Sequence, residues 1–338
     1  MTEEYRVAPI QIQYAMEREM LATFLARNHL KYETDIEAAF GVFNENDTLV
    51  ACGCTSGALL KCFAVSPELQ GQNAVGLLVS SLVQNRFAAE IYDLFIITRT
   101  KNEAIFSNCG FFPVVQTKQL ILMENRPYGV SQFINSIRQP DNIEKTVGAV
   151  VMNCSPFTLG HQALVEYAAS RCDTLYLFVV EENRSYFSTD VRLRLVREGT
   201  AHLPNVRVHL SGHYMISSAT FPTYFLKEGE DAAALQSELD ITLFAQCIAP
   251  SLHITKRFAG QEPFDTTTAC YNQSMRKILP QYGIEFCEIP RISQSGVVIS
   301  ASRVRELLQQ KGVCEDVLTL VPEPTKQYLK ANQIHWQN

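Results

Sequence analysis

The sequence predicts an α/β protein of two domains: an N-terminal α+β domain, then a Rossmann-like parallel sheet with helices on both faces. Three observations carry that prediction. The chain has 338 residues, enough for two domains of roughly 150 residues each. After residue 145, continuous apolar strands alternate with helical stretches, the pattern of a parallel sheet covered on both faces. Between these halves lies a polar stretch with Pro127, Gly129 and Pro140, which reads as a linker. The expected division is 1–124, a linker over 125–145, and 146–338.

In the first domain, Ile10–His29 reads as a helix. Ala39–Phe43, Leu49–Cys54 and Leu60–Val65 read as strands, with a hairpin turn at Asn44-Glu45-Asn46-Asp47. Gln72–Phe87 follows as a helix with an apolar face at Val75, Leu78, Val79 and Leu82. Leu94–Thr98 reads as a buried strand, and Glu103–Cys109 as a short helix closed by Gly110. A helix over Ser131–Arg138 occupies part of the linker.

In the second domain, Val147–Met152, Thr174–Val180 and Val206–Leu210 read as the first three strands. Helices over Leu159–Arg171 and Thr189–Leu203 separate them. Ile248–Thr255 and Ile284–Ile289 read as later strands, and helices begin near Thr268 and Ser302. Ligands of such sheets bind beyond the carboxyl ends of the strands.

Composition narrows the classes. A net charge of −6 argues against general nucleic-acid binding, which favours a basic footprint. The ten cysteines include no Cys-x-x-Cys pair, so reduced thiols are expected and no dedicated metal site. No apolar stretch reaches the 18 or so residues of a membrane span. No basic segment followed by an apolar run opens the chain. A cytoplasmic protein is expected.

Two stretches carry chemistry. In VVMNCSPFTLGH, Val150 to His161, a strand runs into a loop with Asn153, Pro156 and Phe157, and a helix begins near Thr158. A helix N-terminus offers unpaired N–H groups and partial positive charge, so it attracts phosphate. Gly160 lets a nucleotide approach the backbone. Thr158 and His161 are three apart and share one helical face. The second stretch is VVISASRVREL, Val297 to Leu307. Ser300 or Ser302 caps the helix that follows, and Arg305 lies on the face of Ser302. Such an arginine can hold β- and γ-phosphates in bidentate fashion. Arg303 points elsewhere.

T-x-G-H after a strand, with I-S-x-S-x-x-R before a late helix, resembles the nucleotidylyltransferase superfamily. That resemblance implies attack of a nucleophile on the α-phosphate of ATP, with release of pyrophosphate. It assigns Thr158 and His161 to the α-phosphate, and Ser300, Ser302 and Arg305 to the triphosphate tail. Mg2+ would ride on the phosphates.

The runs VMNCSPFTLGH, SGHYMISSATFPTYFLKE, TKRFAGQEPF and YNQSMRKILPQYGIEFCEIPRISQSG resemble the citrate lyase ligase family across essentially the whole second half. The resemblance implies activation of acetate as acetyl-adenylate. The acetyl group then passes to the thiol of the phosphoribosyl-dephospho-coenzyme A group on the acyl carrier subunit of citrate lyase. Lys256, Arg257 and Gly260 in TKRFAG join the expected ATP site; an exposed basic pair is the other reading of Lys256 and Arg257. Ser217, Ser218 and Thr220 are candidates for the acceptor side.

In the first domain, VSPELQGQNAVG, from Val65 to Gly76, resembles the pyrophosphate loop of the GNAT acetyltransferase fold. NEAIFSNCGFFPV, from Asn102, resembles that fold's later helix–strand segment. The resemblance points to Gln70, Gly71, Gln72, Asn73, Ala74, Gly76 and Asn102 as holders of a coenzyme A-like arm. Gln70 matches the usual loop, but Asn73 and Val75 stand where glycines belong. A docking scaffold is the other reading of this domain.

Three competing functions stay open on sequence alone. One is an adenylyltransferase joining ATP to a mononucleotide or phosphopantetheine. Another is a GNAT acetyltransferase with a decayed second domain, and a third is a nucleotide-sensing binding module. His202, His209 and His213 lie near the third strand, with no geometry to single one out as a base.

Overall fold

In a computed structural model, the described residues are 5–138, 146–181, 185–217, 220–262, 266–290, 293–294 and 297–332. The expected Pro140 and Ser218 lie outside them. The chain divides into two compact units, 1–132 with 221–235, and 133–220 with 236–338.

The first unit runs β1 (Arg6–Ile10), α1 (Ala15–Arg27), β2 (Ala38–Phe43), β3 (Leu49–Ser56), β4 (Leu59–Val65), α2 (Ala74–Ala88), β5 (Phe95–Arg99), α3 (Glu103–Ser107), β6 (Phe112–Gln116) and β7 (Leu120–Glu124). Its seven-stranded sheet has the order β1-β2-β3-β4-β5-β7-β6. Neighbours are antiparallel except β4 and β5, which are parallel and share the single register pair Leu59↔Phe95. These two strands therefore diverge beyond that pair.

The expected helix over Ile10–His29 is two elements. Ile10 pairs with Ala39 at the sheet edge, so the chain is extended there. It turns at Gln11, where the Glu17 carboxylate accepts the Gln11 N–H at 2.6 Å, and becomes helical only at Ala15. The backbone pairing of an edge strand outweighs the apolar periodicity that suggested a longer helix.

Residues 221–235 pack with the first unit rather than the second, against the expected division. Tyr224 is 4% exposed and sits in the core of the first unit with Leu21, Phe24, Leu25, Cys54 and Cys62. The Lys31 N–H donates to the Tyr224 carbonyl at 2.9 Å, and Thr223 donates to Glu33 through both its N–H and its hydroxyl at 2.7 Å. Arg99, at the end of β5, pairs with Glu230 and stacks over Phe225.

After α4 (Gly129–Ile137), the second unit runs β8 (Val147–Met152), α5 (Leu159–Ala169), β9 (Thr174–Val179), α6 (Thr189–Gly199) and β10 (Val206–Leu210). Then α7 (Ala232–Leu243) continues through a π-helical turn at Phe244–Ile248 into the short α8 (Ala249–Ser251). β11 (Ile254–Gly260), α9 (Thr266–Ile278), β12 (Glu285–Ile289), α10 (Ala301–Lys311), α11 (Glu315–Leu318) and α12 (Glu323–Ala331) follow. The expected strand Ile248–Thr255 is thus displaced: Ile248 and the residues to Ser251 stay helical, and the strand begins at Ile254. A short apolar run fits a buried helix and a buried strand equally well.

The sheet is wholly parallel, with the order β10-β9-β8-β11-β12. β8, β9 and β10 step one way across the sheet, and β11 and β12 step the other. The order therefore reverses between β8 and β11, which makes a crevice at their carboxyl ends. One face of the sheet packs Val150, Leu177 and Phe258 against Phe157, Val165, Leu195 and Val196. A separate cluster of Phe187, Val304, Leu307, Leu308, Val317 and Leu329 holds α10. Among the described residues, no helix is long and apolar enough to cross a membrane.

Candidate active site at the strand-order reversal

β8 ends at Met152 and the chain crosses to α5 through residues 153–158. Thr158 is the N-cap of α5, extended at φ −115° and 1% exposed. Its hydroxyl accepts the His161 N–H at 3.3 Å. In return, the Thr158 N–H donates to His161 Nδ1 at 3.1 Å. This reciprocal box has the logic of Ser/Thr with Glu at the third position, with imidazole in the carboxylate's role. Because Nδ1 accepts, a neutral ring carries its proton on Nε2. Phe157 stacks on the ring at 5.9 Å between centroids and fixes its plane.

Two further bonds close this turn from the C-terminal helices. The Leu159 N–H donates to the Leu320 carbonyl at 3.0 Å, and the Thr325 hydroxyl donates to the Phe157 carbonyl at 2.9 Å. Among the described residues, the Gly160 N–H is the amide of this turn with no partner. A Cβ on Gly160 would lie 3.0 Å from the Ile299 carbonyl oxygen. Glycine is therefore needed because the backbone before α10 comes that close.

The second stretch meets the first. Ser300 caps α10, its hydroxyl accepting the Arg303 N–H at 3.1 Å. Arg305 Nη2 donates to the Ser302 hydroxyl at 3.0 Å, and Nη1 donates to the Ser155 carbonyl at 2.6 Å. The guanidinium thus spans from α10 to the loop that opens α5. Arg303 turns to Glu306 at 3.3 Å on the exposed side, as its spacing from Arg305 predicts.

Asn153 is exposed, and its side-chain oxygen accepts from Ser185 at 3.0 Å and from Arg192 at 2.8 Å. Arg192, which no sequence motif marks, is fully buried. It donates to the Asn153, Val180 and Phe187 carbonyls at 2.8, 2.7 and 3.1 Å, and to the Thr189 hydroxyl at 2.9 Å. One side chain therefore ties the loop after β8 to the loop after β9. A signal existed: Arg192 shares the buried stripe of α6 with Leu195, Val196 and Gly199, where a charge is unexpected.

The remaining expected residues are distributed as follows. Gly260 ends β11 at the crevice, and its carbonyl accepts from Asn272 at 2.9 Å. Lys256 pairs with Glu285 at 3.3 Å, near Cys172 at the far end of α5, so it is not brought to the α5 N-terminus. Arg257 is 4% exposed, which overturns the reading of an exposed basic pair. Successive strand residues face opposite sides, so the two cations part company. Ser217 and Thr220 form a turn closed by the Ser217 N–H on the Thr220 hydroxyl at 3.1 Å. His202 pairs with Glu166 at 3.0 Å on the surface. His209 lies beside the Tyr176 ring, and burial lowers its pKa. His213 lies in a single 3-10 turn after β10. Among the described residues, no cluster of three or more His, Cys, Asp or Glu side chains could hold a metal ion.

In the first unit, Gln70 and Gly71 lead into α2, whose N-cap is Asn73 in the left-handed region at φ +59°. Gly71 is left-handed too, at φ +83°. Gln72 folds onto the Glu68 carbonyl at 3.0 Å, and Ala74 is buried. A Cβ on Gly76 would collide with the Asn73 side chain. Asn73 thus adopts the conformation that a glycine would supply, as asparagine does more readily than most residues. Asn102 donates to the Thr98 hydroxyl of β5 at 2.9 Å.

The fold and this crevice define a class: a parallel-sheet domain with two capped helix N-termini brought together at the strand-order reversal, a phosphate-accepting arrangement. Comparison with known proteins narrows it. Residues 147–329 match the family model described as the citrate lyase ligase C-terminal domain. A [citrate [pro-3S]-lyase] ligase of Klebsiella pneumoniae is 40% identical over 317 residues, covering 92% of each chain. That of Escherichia coli K12 is 38% identical, over 92% of this chain and 89% of its own. The chain belongs to the citrate lyase ligase family.

Among solved structures, similarity extends to Thermotoga maritima TmcAL bound with alpha-thio ATP. It is 15% identical over 56% of each chain, with a TM-score of 0.39. A putative acyl-CoA N-acyltransferase of Klebsiella pneumoniae is 16% identical, over 36% of this chain and 95% of its own, with a TM-score of 0.29.

Proposed function

We propose that this protein activates acetate with ATP and acetylates the thiol of the coenzyme A-derived group on the citrate lyase acyl carrier subunit, thereby switching citrate lyase on. The observation that carries the reading is the meeting of Thr158, Gly160 and His161 with Arg305 at the crevice, in a chain of this family. An acetate oxygen attacks the α-phosphorus and pyrophosphate leaves. Negative charge grows on the α-phosphate oxygens. In this reading the Gly160 N–H and the His161 Nε2–H are the donors that meet it. Arg305 answers the β- and γ-phosphates, exchanging its bond to the Ser155 carbonyl for phosphate oxygens. Mg2+ would come with ATP rather than from side chains of this chain, and would help neutralise the charge of the triphosphate.

The test is exchange of labelled pyrophosphate into ATP with candidate acceptors. Acetate-dependent exchange supports the reading. Exchange driven by a mononucleotide or phosphopantetheine would replace it with adenylyl transfer. Gly160→Ala should raise the KM for ATP roughly tenfold, since small displacements of a positioned phosphate are costly. An unchanged KM would mean that the close approach at Ile299 does not shape the nucleotide site.

The 70–76 loop and the divergence of β4 from β5 support a further role for the first unit, holding the diphosphate-bearing arm of the carrier. Gln72→Glu places like charge against that diphosphate. We expect the KM for the carrier to rise about fivefold or more, with acetate-dependent exchange unaltered. Equal loss of both activities, or of neither, would remove the loop from this role.

A further inference from the structure

Arg257 sits in β11, the strand beside the crevice. It registers with Ala149 of β8, the strand that delivers the Thr158 loop. Its neighbour Phe258 packs into the core against α5, so Arg257 faces the opposite side, toward α7, the π-helical turn and α9. There the guanidinium lies over the Phe244 ring at 4.6 Å. That ring covers one face and leaves only in-plane N–H groups for hydrogen bonding.

The polar company is sparse. Tyr271 lies beside Arg257 and donates its own hydroxyl proton to Asp240. The other Asp240 oxygen accepts the Ile216 N–H. Both oxygens of this buried carboxylate are therefore engaged by donors other than Arg257. Arg257 Nη1 is buried with no hydrogen-bond partner. Burial also holds the arginine's pKa below its usual value. An orphaned charged donor in a protein interior is costly and uncommon, and a bound anion removes that cost.

We propose that Arg257 Nη1 is the donor that holds the carboxylate of the acid to be activated. The inference rests on the acetate reading above and assigns the acid to the β11 side of the crevice, opposite the α5 and α10 termini that take the phosphates. A planar guanidinium suits a carboxylate. The Phe244 ring supplies an apolar wall for a methyl group. The turn at Ile216, just after β10, and the Asn272 bond to the Gly260 carbonyl anchor Asp240 and Tyr271 at the carboxyl end of the sheet. An acid held there enters beside β8, where the α-phosphorus is expected.

The experiment is steady-state pyrophosphate exchange with acetate and ATP varied separately, in the full-length protein. For Arg257→Met, the KM for acetate should rise at least tenfold while the KM for ATP stays within twofold. Arg257→Lys keeps the charge and should recover part of that loss; it carries the test alone if the methionine variant does not fold. A folded variant with an unchanged KM for acetate, or with both KM values raised equally, overturns the assignment. Wild-type protein showing no acetate-dependent exchange would instead remove the acetate reading, and this inference with it. The two failures are thus distinguishable.

Discussion

His161→Asn should lower acetate-dependent pyrophosphate exchange by roughly a hundredfold or more, the usual cost of losing one donor at a developing oxyanion. The expectation follows from the capping box. Nδ1 is committed to the Thr158 N–H, so the proton proposed to act is the one on Nε2. Asparagine can accept the same amide at the helix cap, which should preserve α5. It cannot present a donor at the imidazole's reach. Far-UV circular dichroism should be unchanged, and the loss should fall mainly on turnover, since the interaction strengthens as charge develops. A folded variant of full activity would take His161 out of the chemistry.

Arg192→Met should be the most damaging substitution for stability, costing about 3 kcal/mol or more. The side chain is buried and satisfies three carbonyls and two side-chain oxygens. Methionine fills much of the volume but leaves those acceptors unmet. Because Asn153 and Val180 open the loops that follow β8 and β9, the damage should not stop at stability. The Thr158 loop should loosen as well, and the KM for ATP should rise in whatever fraction remains folded. Urea denaturation checks the first part and ATP titration the second. An unfolding midpoint equal to wild type would show that water replaces the guanidinium freely.

Both residues bear on how much the sequence discloses. The strands at 147–152 and 174–179 are legible because each is a largely continuous apolar run between helices, and 206–210 because valine, valine and leucine alternate with polar residues. The Thr158 and Ser300 caps are legible because hydroxyl residues before an apolar periodic stretch have a local reason to be there. The displaced β11 is the opposite case: Ile248 and Ala249 are apolar enough to open a buried strand, yet both are helical. Lys256 and Arg257 look alike in sequence, yet strand alternation sends one to Glu285 and the other to Phe244. Tyr224 reads as part of the second domain because its partners, Phe24 and Cys54, are far away in sequence. Arg192 hides for another reason. Its acceptors are mostly backbone carbonyls, which carry no residue signature.

Through all of this, the phosphate grip of α5 and α10 on one nucleotide remains the claim on which the rest depends. The direct measurement is a crystal structure with a non-hydrolysable ATP analogue, read for distances from phosphate oxygens to named nitrogens. The α-phosphate should lie within hydrogen-bond reach of the Gly160 amide and His161 Nε2, with the Arg305 guanidinium turned from the Ser155 carbonyl to the β- or γ-phosphate. Phosphates bound elsewhere, with Arg305 still on Ser155, would contradict it.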